Sequence, residues 1–266
     1  MEPDPTPDDL SLVAAELDKL LLSEHAAERL EAFHAKGSLG TMLPEVEALI
    51  GFHQGFGGVH KDLWDHTLKV VKTMPRRSEL RWAALLHDVG KIPTRELLEN
   101  GKVTFWRHEK AGAEMARNIG ARLGWTHEKT EHVAFIVEHH GRFNAYQERW
   151  SDKAIRRLIR DSGPYLNDLL TFSAGDITTT NARKERRAKR EDASLRRRIA
   201  ELLVDVPTLP SGLGKEIIST FQLEKGPKVR DAMAWLREHI TQGNLSDEPT
   251  TAECMEALEA SQNAWC

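Results

Sequence analysis

A histidine and an aspartate stand side by side, His87-Asp88, at the end of the apolar run Trp82–Leu86 and just ahead of Gly90-Lys91. Burying an imidazole beside a carboxylate is costly unless something neutralises both. A divalent cation does so: imidazole nitrogen and carboxylate oxygen suit Zn, Fe, Ni, Co or Mn, and a carboxylate has two oxygens with which to bridge two ions. Five segments of helical spacing carry donors of this kind, in the order His66, His87-Asp88, His108, His139-His140 and Asp176. A shared site requires those helices to face one interior, which predicts an all-α bundle with metal in its core.

Helical periodicity extends over most of the chain. Apolar residues spaced by three and four run over 9–35 (Leu10, Val13, Leu17, Leu20, Leu21), with Asp8 or Asp9 as cap. Gly37–Gly40 break that run, Pro44 opens a helix to Ile50, and Gly51–Gly58 read as a turn. Further helices are expected near 62–73, 79–88, 108–123, 127–140, 151–161, 164–180, 183–204, 214–222 and 227–240. Pro207–Gly212 reads as a linker, and the end from Gln242 as polar. Val103–Trp106, after Asn100-Gly101, is at most a short strand. Trp64, Trp82, Trp106, Trp125 and Trp150 are assigned to core packing.

The 266 residues are 40% hydrophobic and 29% charged, which excludes a disordered chain. The apolar run Trp82–Leu86 falls far short of the roughly 20 residues a membrane helix needs. The acidic, proline-containing start lacks the pattern of a secretory signal. Cys254 and Cys266 supply no disulfide framework, so a cytoplasmic protein is expected. With a net charge of −4, any nucleic-acid contact must use a local basic patch. Arg183, Arg186, Arg187 and Arg190 are the candidates; the alternative is a solvated helix whose charges pair with Glu185, Glu191 and Asp192.

Taken together, these residues resemble the HD phosphohydrolase superfamily, whose H…HD…D signature falls on His66, His87, Asp88 and Asp176. His108 and His139 resemble the extended pattern that accompanies two metals. Phe105–Glu114, Val137–His140 and Trp150–Arg157 are similar to the HD region of bacterial CCA-adding tRNA nucleotidyltransferases. Ala15–Leu21 through Leu43–Val46 resembles that family's neck, and Leu213–Ile218 with Lys225–Lys228 its tail. The resemblance divides the chain into a neck-like region (1–58), an HD domain (59–205) and a helical tail (206–266). The family's nucleotidyltransferase head is expected to be missing. Gly37-Ser38 with Glu45-Val46-Glu47 mimics its motif, but Pro44 and the spacing of Leu43, Val46, Leu49 and Ile50 mark a helix.

The resemblance implies that His66, His87, Asp88 and Asp176 hold one divalent ion, and Asp88, His108 and His139 a second. Mn, Ni, Fe, Co or Zn would serve, with Mg admissible. A hydroxide formed between two such ions would attack phosphorus, with Asp88 and Lys91 as the catalytic groups. Lys91, His140, Arg142 and Arg157 are the expected substrate contacts. The implied activity is that of a 2′,3′-cyclic phosphodiesterase and phosphatase on nucleotides or RNA ends, with tRNA as a partner and no membrane. Two other readings stay open: a phosphohydrolase of dNTP, (p)ppGpp or cyclic dinucleotides, and a non-catalytic tRNA-binding module serving a separate nucleotidyltransferase head. No feature fixes an oligomeric state.

Overall fold

The computed structural model describes residues 7–53, 62–179, 181–204, 207–246, 248–261 and 265. Residues 54–58 of the expected glycine turn, the domain edges expected at 58/59 and 205/206, and Cys266 lie outside them. Backbone contacts divide the chain into two units, Met1–Arg196 and Arg197–Cys266. Residues 1–58, read as a neck, fall in the first unit together with the helices that follow.

The first unit opens with α1 (Pro7–Leu21), α2 (Ala26–Ala35), α3 (Ser38–Met42) and α4 (Pro44–Glu47). It continues through α5 (Leu63–Thr73), α6 (Ser78–Leu86), α7 (Lys91–Thr94), α8 (His108–Arg122), α9 (His127–Asn144), α10 (Asp152–Ser162) and α11 (Leu166–Gly175). A last helix, α12 (Ala182–Val204), crosses into the second unit. The all-α expectation holds; among the described residues the strands are the two-residue β1 (Glu96–Leu97) and β2 (Val103–Thr104), paired antiparallel.

Several boundaries differ from the sequence reading, each for a local reason. Helix α1 begins at Pro7, a residue suited to a first turn, so Asp8 and Asp9 lie inside the helix instead of capping it. The helix expected over 9–35 breaks after Leu21, where Ser23 Oγ accepts from the His25 amide, the local bond with which serine competes against helix. The glycine break at 37–40 becomes the start of α3, with Gly37 at φ 75° as its N-cap. Helix α11 stops at Gly175, short of the expected 180, and its end lies against α5, where Thr73 Oγ1 donates to the Gly175 carbonyl.

Helix α9 is the spine of this unit, packing against α6, α8 and α11. Trp82 is fully buried and meets Trp125 edge-on at 4.6 Å. Asp18 of α1 accepts from Ser78 Oγ (2.9 Å), Lys129 Nζ (2.7 Å) and Trp82 Nε1, tying α1 to α6 and α9. Glu45 receives both guanidinium nitrogens of Arg122, at 2.7 and 2.8 Å. Buried Asp168 on α11 is held by Arg77 at 2.5 and 3.0 Å and by His132 Nε2 at 2.8 Å. Trp106, assigned to the core from sequence, is instead 69% exposed.

The second unit contains α13 (Leu213–Thr220), α14 (Pro227–Thr241) and α15 (Thr251–Ala260) around Leu213, Ile217, Leu236, Cys254 and Leu258. Helix α15 lies in the segment read from sequence only as a polar end. Its signal was present: Thr250 and Glu253 form a reciprocal capping box ahead of Cys254, Met255 and Leu258.

Candidate metal centre

Five segments of the first unit deliver side chains to one place. Asp62 caps α5 by accepting from the amides of Trp64 and Asp65, and His66 follows in the first turn beside buried Leu63 and Val70. Helix α6 ends at Leu86, so His87 is its C-cap and Asp88 stands on the tight turn beyond, where the Lys91 amide donates to the Asp88 carbonyl at 3.0 Å. His108 is the first residue of α8, His140 belongs to α9, and Asp176 caps the end of α11. The turn after Asp88 is clamped to α8: a Cβ on Gly90 would lie 2.1 Å from the His108 carbonyl oxygen and 2.5 Å from the Gly112 amide nitrogen. Only glycine permits that approach.

The two oxygens of Asp88 face two different groups of donors. Toward Oδ2 lie His87 Nε2 at 3.3 Å and His66 Nε2 at 3.7 Å, with Asp176 Oδ1 3.1 Å from His66 Nε2 and 3.8 Å from His87 Nε2. Toward Oδ1 lie His108 Nε2 at 3.7 Å and His140 Nε2 at 4.0 Å. The donor atoms of His66, His87 and Asp88 form one compact group, and those of Asp88, His108 and His140 another.

Tautomers follow from the other side of the rings. His87 Nδ1 donates to the Ala84 carbonyl (2.9 Å), His108 Nδ1 to Phe105 (3.1 Å) and His140 Nδ1 to Val137 (2.7 Å). A carbonyl only accepts, so each Nδ1 carries the proton and each neutral Nε2 presents a lone pair. His66 Nδ1 meets Thr178 Oγ1 at 2.7 Å. His66 Nε2 and His87 Nε2 stand 3.1 Å apart, and Asp88 is only 1% exposed. Lone pairs and carboxylate oxygens thus converge in a buried space, an arrangement that a cation satisfies.

Electrostatics lead to the same demand. Burial disfavours the His87 cation, yet the Asp88 carboxylate outweighs it and raises the His87 pKa: the cluster calls for positive charge at Nε2. Burial would raise the Asp88 and Asp176 carboxyls, but the surrounding imidazoles hold Asp88 well below its usual range and Asp176 at about 2. Burial, with His87 adjacent, pushes His140 down to about 4, and burial also lowers His108. Neutral His108 and His140 facing an ionised Asp88 are the protonation states that metal binding requires, and at His87 a bound cation would take the place of the proton that Asp88 favours.

Of the pair His139-His140, the structure brings His140 to the cluster, where the sequence pointed to His139. His140, read from sequence as a substrate contact, lies beside Asp88; His139, read as a ligand, packs edge-on against Phe135 at 4.3 Å and lines a groove with Arg107 and Arg142. The reason is helical phase: Val133, Ile136, Val137 and Phe143 are buried, and they share a face with His140. Lys91 Nζ donates to Asp88 Oδ2 at 2.8 Å and lines a cleft with His66, Asp176 and Thr178. Arg142 and Arg157, the expected phosphate contacts, pair with Asp161 at 3.1 and 3.5 Å and are not among that cleft's lining residues. Arg183, Arg186, Arg187 and Arg190 are exposed on α12; Arg187 pairs with Glu191, and Arg190 lies 3.9 Å from Glu148. The α12 residues on the cleft are Lys184, Ala188, Glu191 and Asp192.

Asn144 was missed by the sequence reading. Its Nδ2 donates to Asp176 Oδ2 at 2.8 Å while its Oδ1 accepts from Ser173 Oγ at 2.6 Å, so it fixes the carboxylate's orientation. The family model for the HD domain matches residues 63–203, and the chain belongs to that family. Its similarity to known proteins extends further. The CC-adding tRNA nucleotidyltransferase of Thermus thermophilus is 37% identical over 240 residues, 88% of this chain and 53% of that protein. The A-adding tRNA nucleotidyltransferase of Deinococcus radiodurans is 31% identical over 242 residues, 88% of this chain and 55% of that protein. A multifunctional CCA protein of Azoarcus sp. is 29% identical over 125 residues, 46% of this chain and 30% of that one. The chain therefore spans about half the length of the first two relatives, and the resemblance read from its motifs is borne out. Among the described residues, no helix is long and apolar enough to cross a membrane.

Proposed function

We propose that this chain is a metal-dependent phosphohydrolase that opens 2′,3′-cyclic phosphates and hydrolyses phosphate monoesters on nucleotides or RNA ends. One observation carries the reading: a buried carboxylate whose two oxygens face two sets of imidazole Nε2 lone pairs. His66, His87, Asp88 and Asp176 would hold one divalent cation, and Asp88, His108 and His140 the second. Two cations so placed supply Lewis acidity for phosphoryl oxygens and lower the pKa of water.

The chain's own groups do the positioning. Asp88, shared by both donor sets, fixes their spacing, and the hydrogen bond from Asn144 holds Asp176 in register. Lys91 lies at the cleft with its ammonium on Asp88, within a side-chain rotation of an incoming phosphate oxygen. Its positive charge would offset the phosphate's negative charge, single on the cyclic diester and up to double on the monoester, a role for a point charge without fixed geometry. The cleft between His66, Asp176 and Lys184 is the substrate entrance in this reading. The names of the relatives, which span 88% of the chain, support tRNA as the source of the RNA end.

The purified chain, loaded in turn with Mn, Ni, Co, Zn or Mg, should hydrolyse 2′,3′-cAMP and 2′-AMP. Faster turnover of dATP or pppGpp would move the assignment to free nucleotides. Tight tRNA binding with no turnover of any ester under any metal would leave a binding module.

A further inference from the structure

Trp106 and Arg107 are the unexplained residues beside the metal centre. Trp106 is 69% exposed, the most exposed of the large hydrophobic residues described, and none of its neighbours from Val103 to Lys110 is fully buried. The Arg107 guanidinium stacks over its indole at 4.0 Å from the ring centroid. Arg107 also holds φ 62°, ψ 26°, a left-handed conformation that glycine adopts freely and a long side chain does not. That turn is what delivers His108: the His108 amide and His108 Nδ1 both donate to the Phe105 carbonyl, at 3.0 and 3.1 Å. Glycine would make the same turn with less strain, so the delivery of His108 does not account for an arginine here. Backbone strain of this kind persists where the side chain has a use.

We propose that Trp106 and Arg107 form a stacking platform for the nucleobase of the substrate, and so select nucleotides over esters without a base. The inference rests on the phosphohydrolase reading for its substrate and deepens it. An indole and a guanidinium in one stack, open to solvent, present planar faces that suit an aromatic base and tolerate every sequence. Trp106 and Arg107 stand two and one residues ahead of His108, whose Nε2 faces Asp88 Oδ1 at 3.7 Å, and Arg107 lines the groove with Glu109 and His139. Two further cation-on-ring pairs lie on neighbouring segments: Lys91 over Phe105 at 5.8 Å, and Arg95 over Phe52 at 5.7 Å. A ligand that joins a planar π system to a phosphate is a nucleotide, and this is the occupant the platform fits.

The test compares 2′,3′-cAMP with methyl riboside 2,3-cyclic phosphate, the same ester without its base. Trp106→Ala and Arg107→Gly should each lower the ratio of kcat/KM for the two esters by about tenfold, the loss expected when a base gives up one stacking partner. Arg107→Gly should also raise Tm, because it relieves the left-handed strain. Calorimetric titration with 2′-AMP gives a second readout independent of turnover, and Trp106→Ala should weaken that binding by a similar factor. Unchanged ratios together with unchanged 2′-AMP affinity would overturn the platform. Equal losses on both esters, with 2′-AMP affinity kept, would likewise overturn it and return the two residues to support of the turn. If the wild type hydrolyses neither ester but Trp106→Ala still weakens 2′-AMP binding, the platform stands and the hydrolytic reading falls.

Discussion

Two buried carboxylate clusters sit in the first unit, and they are built on opposite principles. Asp168 is completed by the protein: Arg77 donates two hydrogen bonds to it and His132 a third. Asp88 is surrounded by imidazoles whose protons point away toward backbone carbonyls, leaving lone pairs on its own side. Among the described residues, Lys91 brings it a fixed positive charge at 2.8 Å. A carboxylate that meets its donors is architecture, whereas one that meets other acceptors is prepared for an ion from outside. Each cluster sets a buried aspartate against histidine, and the direction of the ring protons separates them: His132 Nε2 is turned to Asp168, whereas His87, His108 and His140 turn Nδ1 to backbone carbonyls.

The comparison breaks most sharply at Asp88 itself. Asp88→Asn should empty both metal positions, as read by elemental analysis, and lower turnover of 2′,3′-cAMP by on the order of 10³-fold or more, while circular dichroism keeps its helical signal. Two bound metals in that variant would remove the shared carboxylate from the site. The next largest effect separates neighbours on α9. His140→Ala should reduce the metal count from two to one and turnover by about 10²-fold, whereas His139→Ala should leave both ions bound. The reverse pattern would restore the sequence reading.

At Asp168 the expected loss is in stability instead of metal. Asp168→Ala should cost about 2 kcal/mol in urea unfolding, less than a fully buried pair because half of Arg77 faces solvent, and should keep its metals. Metal loss in that variant would mean that the two clusters are coupled. The smallest effect concerns Glu45. Burial pushes its carboxyl up, but the paired bonds from Arg122 outweigh this and hold it below the ordinary 4.5. A depressed folded-state pKa stabilises above the unfolded value and loses that contribution as pH falls below it. Glu45→Gln should therefore be less stable than wild type near pH 7, by about 1 kcal/mol or less, and the gap should close on acidification below about pH 4. A gap that widens in acid would refute the assigned sign.

Much of the centre was legible because its residues are few and chemically unusual. The pair His87-Asp88, with His66, His108 and Asp176 on apolar faces, could be assigned to one interior from spacing alone. The choice between His139 and His140 turned on about 100° of helical phase. Weighing the whole face, Val133, Ile136, Val137 and Phe143, would have picked His140. Asn144 gave no such signal, because an asparagine near a helix end is ordinary until its partner across the bundle is known. Trp106 was misassigned for a related reason: an aromatic residue beside Val103 and Phe105 reads as core, and spacing does not reveal the left-handed turn that follows it at Arg107. Helix ends were the least legible, since Ser23, Gly37 and Gly175 act through neighbours that spacing does not reveal.

The ring-nitrogen bonds have a consequence for how such a centre can be moved. Ala84, Phe105 and Val137 each lie three residues before the histidine they hold, on the turn that the histidine itself closes. Aim is thus a private property of each four-residue turn, set before the helices meet. Three such turns, placed at the right spacing in another scaffold, would arrive with their imidazoles already pointed. A designer would still need to supply the equivalents of Asp88, His66 and Asp176, and a glycine to let two backbones touch.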